Sequence, residues 1–211
     1  PMAANQNLAN MFKMFAIAFR PPTLGAWTDA VVSGSLRAGL SSTWEALELP
    51  AGSLAEFSAC LGGYVGHDPE EVLHELRIEE TRLFVGEDPI VENAEGTWLQ
   101  RANGVEKPIR MINSHTTAVM TFMRECGVVR NEKYNDCIDY LENECDFCGY
   151  LAETPELPAG MGDDPLILLD RFVAEHMAKW VPGFCDEVIA ASKVPYYIGI
   201  CTLMRTFIRE F

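Results

Sequence analysis

Along most of the chain, apolar residues recur at every third or fourth position, the spacing of one face of an α-helix. Leu8 to Phe19 is amphipathic and stops at Pro21-Pro22, where a helix cannot continue. Further helical patterns fall at 24–31, 35–47, 53–62 and 68–85. Helix is expected again over 109–126, with Gly127 as its C-cap, and over 135–153. Asp164-Pro165 opens another that reaches Trp180. Pro182 is expected to restart it as a short helix to Ser192, and Pro195 precedes a last one toward Phe211. Between these lie two breaks. The stretch 86–107 holds Gly86, Pro89, Gly96 and Gly104 and reads as a long irregular connection, while Thr154 to Asp164 is rich in proline and glycine. Strand alternation and internal repeats are absent from the sequence. The expected class is all-α, an irregular multi-helix bundle forming a single domain over 1–211. If that domain divides into two lobes, the 86–107 loop is the hinge.

Two of the predicted helices break their own pattern. The first has a clear start: Asp68 is the candidate N-cap, Pro69 fits the first helical position and Glu71 stands three after the cap. Its apolar stripe reads Val72, Leu73, Leu76, Leu83, Phe84. Glu80 falls between Leu73, Leu76 and Phe84, and Glu79 falls beside Val72. In the helix over 135–153, Cys137, Tyr140, Leu141, Phe147, Cys148 and Leu151 all lie within about 60° of Glu144 at 100° per residue. Asp139, Glu142, Asp146 and Glu153 take the opposite, solvated face. A carboxylate in an apolar seam must be paired, hydrogen-bonded or protonated. Either these acids pair internally, with Arg82, Arg77 or a neighbouring helix, or they line a groove that is both apolar and acidic.

Composition narrows the partner. The 211 residues are 48% hydrophobic, enough for a substantial core and too apolar for a disordered chain. With 16 basic and 31 acidic side chains the net charge is -15. Such a field disfavours nucleic acid and anionic membrane surfaces and attracts cations. No run reaches the roughly 20 apolar residues of a spanning helix, and Met11 to Phe19 lacks the basic flank and cleavage site of a secretory signal. Seven scattered cysteines fit reduced thiols better than a disulfide framework.

Metal and catalytic readings are weak. Cys145-x-x-Cys148 has no second pair, and His115 and His176 lie on apolar stripes where core packing is the simpler account. Glu71-x-x-His74 is a lone copy of a motif that di-iron helices need twice, with two further glutamates. Neither a nucleophile elbow nor a phosphate-cradling loop occurs. The expectation is a protein that is not an enzyme and holds no metal or cofactor.

Four blocks, in order, resemble the TorD family of redox-enzyme maturation chaperones, which includes the DmsD and NarJ types. Phe15 to Thr23 is similar to the family's opening helix and its Pro-Pro-Thr turn. Glu79-Glu80-Thr81-Arg82-Leu83-Phe84-Val85-Gly86 is similar to its E-Y-T-R-L-F-V-G signature, with Glu80 in place of tyrosine. Asp139 to Phe147 resembles D-H-L-x-x-E-L-E-F, with Asp139 and Glu144 matching and Tyr140 where histidine is common. Phe172 to Cys185 is similar to F-x-x-x-H-L-x-x-W-V-P-x-F, matching at His176, Trp180, Pro182 and Phe184. A fifth segment, Ala94 to Trp98, keeps only Glu95 of its counterpart.

The resemblance implies an all-helical, cytoplasmic chaperone. Its partners would be the twin-arginine signal peptide and the apo form of a molybdopterin-containing oxidoreductase, whose export it delays until the cofactor is inserted. A stably bound helical adaptor of an oxidoreductase complex is the alternative. A receptor for such a leader needs carboxylates for guanidinium groups and an apolar groove for the rest. The candidate peptide-binding residues are Glu79, Glu80, Arg82, Glu95, Trp98, Asp139, Tyr140 and Glu144. Arg82 would orient the acids, and His176 and Trp180 read as structural. No nucleic acid and no stable membrane insertion are expected, and monomer and homodimer both remain open.

Overall fold

The computed structural model describes residues 2–129, 137–158 and 164–211, with side chains from Asn5 onward. Its helices are α1 (Met2–Phe19), α2 (Ala26–Val32), α3 (Ser35–Ala46), α4 (Ala51–Gly62), α5 (Pro69–Phe84), α6 (Glu95–Ala102), α7 (Ser114–Glu125), α8 (Leu141–Glu153), α9 (Pro165–Phe172), α10 (Ala178–Ala191) and α11 (Pro195–Glu210). A π turn, Val173–Met177, joins α9 to α10. Among the described residues there is no β-strand, and one isolated antiparallel bridge links Ala94 to Tyr140. The class is all-α, as the apolar spacing predicts.

Local chemistry sets the helix ends. The Asp68 carboxylate accepts from the N–H groups of Glu70 (2.9 Å) and Glu71 (3.1 Å), with Pro69 in the first turn. Asp164 does the same for Leu166 at 2.8 Å. Asn113 caps α7 by accepting from His115 and Thr116.

Buried apolar side chains form one continuous cluster that runs from Ala9 to Ile208. α1 lies along α8, with the ion pairs Lys13–Glu153 and Arg20–Asp146 on the rim of that contact. α11 packs on both α4 and α10. Its approach to α4 requires Gly199, where a Cβ would stand 2.8 Å from Cys60 Cβ. Edge-to-face rings fill the space between helices, including Phe12–Phe207 at 5.0 Å and Phe147–Phe172 at 4.8 Å.

Three local expectations are corrected. The stretch 86–107 is not irregular throughout: it contains α6, and Val91, Ala94, Glu95, Gly96 and Thr97 within it are buried. The helix expected over 135–153 begins only at Leu141, because Tyr140 is extended (φ -66°, ψ 144°) and paired with Ala94. Helix α10 runs unbroken through Pro182. A proline normally clashes with the carbonyl four residues earlier, here that of Ala178. Ala178 closes the π turn with ψ relaxed to -20°, which swings that carbonyl aside. Residues 135 and 136, and Gly160 and Gly162 of the second break, lie outside the described residues.

Candidate functional site

The acids of the apolar seams sort into three groups. Glu79 is buried at the end of α5. Arg82, one turn on, donates to it twice, Nε to Oε2 at 2.8 Å and Nη2 to Oε1 at 2.7 Å. Oε1 also accepts from the Ser192 hydroxyl (3.0 Å) and the Lys193 N–H (2.6 Å), while Arg82 Nη2 reaches the Ala191 carbonyl at 2.7 Å. Chiefly through Arg82, and against the cost of burial, the carboxyl is held down to about 2. Glu79 and Arg82 therefore clasp the last turn of α5 to the junction of α10 and α11.

The second group is a buried polar hub. Asp139 Oδ2 accepts from the Gly96 N–H (2.9 Å) and the Thr116 hydroxyl (3.0 Å), while the Asp139 carbonyl accepts from the Glu95 N–H (2.9 Å). One residue thus anchors the start of α6 and ties it to α7 and α8. From the first turn of α6, Glu95 presents both oxygens to His176 Nδ1, at 3.1 and 3.0 Å. Trp180 Nε1 donates to Glu144 Oε2 at 3.0 Å. Glu144 has no exposed surface. Burial first, then the charge of the neighbouring Glu95 and a hydrogen bond to it, push its carboxyl well above the usual range. Burial also raises Asp139, against the pull of Gly96 and Thr116.

The third group faces a cleft of about 340 Å³ between the ends of α1 and α5, the 92–97 segment and the start of α8. Phe19, Pro21, Phe84 and Val85 supply apolar surface, and Glu80, Glu92, Tyr140 and Glu142 supply polar groups. Glu92 is engaged: Arg110 approaches it at 2.8 Å and Arg101 at 3.1 Å. Glu80 is half-buried, it accepts a long 3.5 Å hydrogen bond from the Thr81 hydroxyl, and burial raises its carboxyl. No cationic side chain among the described residues forms an ion pair with it.

The eight sequence candidates therefore have different placements. Glu79, Glu95, Asp139 and Glu144 are each at most 4% exposed and bonded internally. Arg82 is committed to Glu79. Trp98 is half-buried, its ring 6.5 Å from that of Trp180 and packed over Gly183. Glu80 and Tyr140 line the cleft. Sequence reasoning overlooked Glu142, Glu92 and Arg110 there. A single helical wheel assigns Glu142 to solvent, since it cannot register that α5 and α1 stand opposite.

The arrangement is a helical bundle with a cleft that carries both acidic and apolar groups, together with a buried polar hub. Residues 44–186 match the family described as the nitrate reductase delta subunit, and the chain belongs to that family. It is a family of redox-enzyme maturation chaperones, assembly proteins that act with nitrate reductase-type enzymes. The matched span includes the Glu79–Gly86, Asp139–Phe147 and Phe172–Cys185 blocks. No curated protein matches the chain. Among the described residues, no helix is long and apolar enough to cross a membrane.

Proposed function

We propose that the cleft beside Glu80 receives the arginine pair of a twin-arginine leader. On this reading the protein is a non-catalytic cytoplasmic chaperone that holds the leader, the apo form of a molybdopterin-containing oxidoreductase, or both, until the cofactor is inserted. One observation carries the reading: a half-buried carboxyl, raised by desolvation and ion-paired to no cation among the described residues, stands on the wall of an apolar cleft. An arriving guanidinium would favour its charged form and replace lost hydration with charge-assisted hydrogen bonds. Glu142 and Tyr140 face the same space, and Phe19 and Phe84 offer the surface for a neighbouring apolar residue. Glu79, Arg82, Glu95, Trp98, Asp139 and Glu144 act behind the cleft, holding its walls in place.

Isothermal calorimetry with a synthetic twin-arginine leader tests this. Glu80→Gln and Glu142→Gln should each weaken binding about five- to tenfold at low salt, with a smaller loss at high salt. Unchanged affinity in the double variant overturns the assignment. A permanently bound adaptor would bind the free leader not at all and would instead purify in fixed stoichiometry with its complex.

A further inference from the structure

The loop between α6 and α7 carries an unusual surface. Ile109, Met111 and Ile112 are exposed by 60%, 74% and 58%, three large apolar side chains within four residues. Exposed apolar residues in a slack loop need no explanation, but this loop is held. The Gln100 side chain clamps both backbone groups of Ile109, accepting from its N–H at 3.0 Å and donating to its carbonyl at 3.3 Å. The Asn113 amide donates to that same carbonyl at 3.1 Å. The Cys137 thiol donates to the carbonyls of Arg110 and Met111. Arg110 itself is fastened to the buried Glu92, Nη1 to Oε2 at 2.9 Å. The backbone is thus fixed while its apolar side chains are offered to solvent.

The position of this edge identifies what it suits. Arg110 and Glu92 line the cleft, and Met111 and Ile112 are the next two residues of the chain after Arg110. Val85, which lines the same cleft, is 55% exposed and adds apolar surface to it. A ligand whose cationic residues sit beside Glu80 and whose chain continues past Arg110 would meet this edge. We infer that the 109–112 edge is the docking surface for the apolar stretch that follows the arginines in a leader peptide. The inference rests on the leader-binding reading of the cleft and deepens it by dividing recognition in two: acids select the charge, and a rigid apolar edge selects what comes after. Ordering costs little because the loop is already pinned, so apolar burial there converts into affinity with small loss.

The test uses the whole chain and two peptides. One carries two arginines followed by about a dozen apolar residues, the length of a signal-peptide core. The other carries the same arginines followed by serine and glycine. The wild-type chain should bind the first peptide more tightly. The double variant Met111→Ser, Ile112→Ser replaces exposed side chains that support no core. It should bind the apolar peptide about tenfold less tightly, with its affinity for the serine–glycine peptide unchanged. Glu80→Gln should weaken both peptides. Equal affinity of the wild type for the two peptides, or an apolar peptide indifferent to the double variant, overturns the docking edge while leaving the cleft reading intact. If neither peptide binds the wild type, the cleft reading itself fails and the edge falls with it. A variant that changes only the sedimentation behaviour of the protein would reassign the edge to contact between copies of this chain.

Discussion

Replacing Glu79 by glutamine removes a charge from the clasp between α5 and the junction of α10 and α11. The carboxyl is held at about 2, against an ordinary value of 4.5. At 1.36 kcal/mol per unit, that difference corresponds to an upper figure of about 3 kcal/mol of native-state stabilisation at neutral pH. Arg82 keeps some contact with water, its side chain 26% exposed, so part of that energy is recovered by solvent when the pair is broken. A loss of about 2–3 kcal/mol is expected. The sign follows from the direction of the shift. A depressed carboxyl stabilises fully above 4.5 and loses its contribution as pH falls toward 2. Urea unfolding followed by the fluorescence of the buried Trp44 and Trp180 measures both quantities. The gap between wild type and Glu79→Gln should be largest at neutral pH and should close progressively below 4.5. A neutral-pH gap under about 1 kcal/mol, or one that persists undiminished in acid, would refute the assignment of Glu79 as an ion-paired clasp.

Glu144 behaves oppositely. Its carboxyl, raised by burial, keeps its proton to higher pH in the folded chain than in the unfolded one, so it subtracts stability as pH rises above 4.5. Glu144→Gln keeps an acceptor for Trp180 and removes that penalty. Relative to wild type it should gain stability from pH 4.5 toward neutrality, by at most about 1.4 kcal/mol per pH unit; a variant that loses stability over that range would show that the native carboxyl is charged. Gly96 allows no side chain, since a Cβ would lie 2.4 Å from both polar atoms of the Asn113 amide. Gly96→Ala should displace the α7 cap and cost about 1–2 kcal/mol in the same unfolding assay, and a cost near zero would mean Asn113 is free to move.

Much of the architecture was legible because it is local. Asp68 and Pro69 name the start of α5, Asp164 and Pro165 that of α9, and Pro21-Pro22 follow the end of α1, each through chemistry confined to one turn. Helix α6 escaped notice because Gly96, tolerated there only by the press of Asn113, reads locally as a breaker. The late start of α8 was illegible for a similar reason, since Tyr140 is drawn into an extended pairing by Ala94, far away in the chain. Glu79 and Glu144 were legible as buried, and the Glu79–Arg82 pair lies within one turn, whereas Asp139, assigned to the solvated face, and Glu95, read as part of an irregular connection, are buried by distant elements. Their remaining partners, Ser192 and Lys193 for Glu79, His176 for Glu95 and Trp180 for Glu144, come from segments 36 to 114 residues distant. Periodicity can state that a carboxylate needs company without naming it.

The clasp at Glu79 also imposes an order of events. The last turn of α5 and Val85 form one bank of the cleft, yet they are moored by Ser192 and Lys193, which leave the ribosome more than a hundred residues later. The opposite bank comes from the end of α1. A chain made only through α5 lacks the mooring of the first bank. If the cleft is the client site, as proposed, its grip would form only after Ser192 and Lys193 are made, a safeguard against seizing a partner before the chain can shelter one.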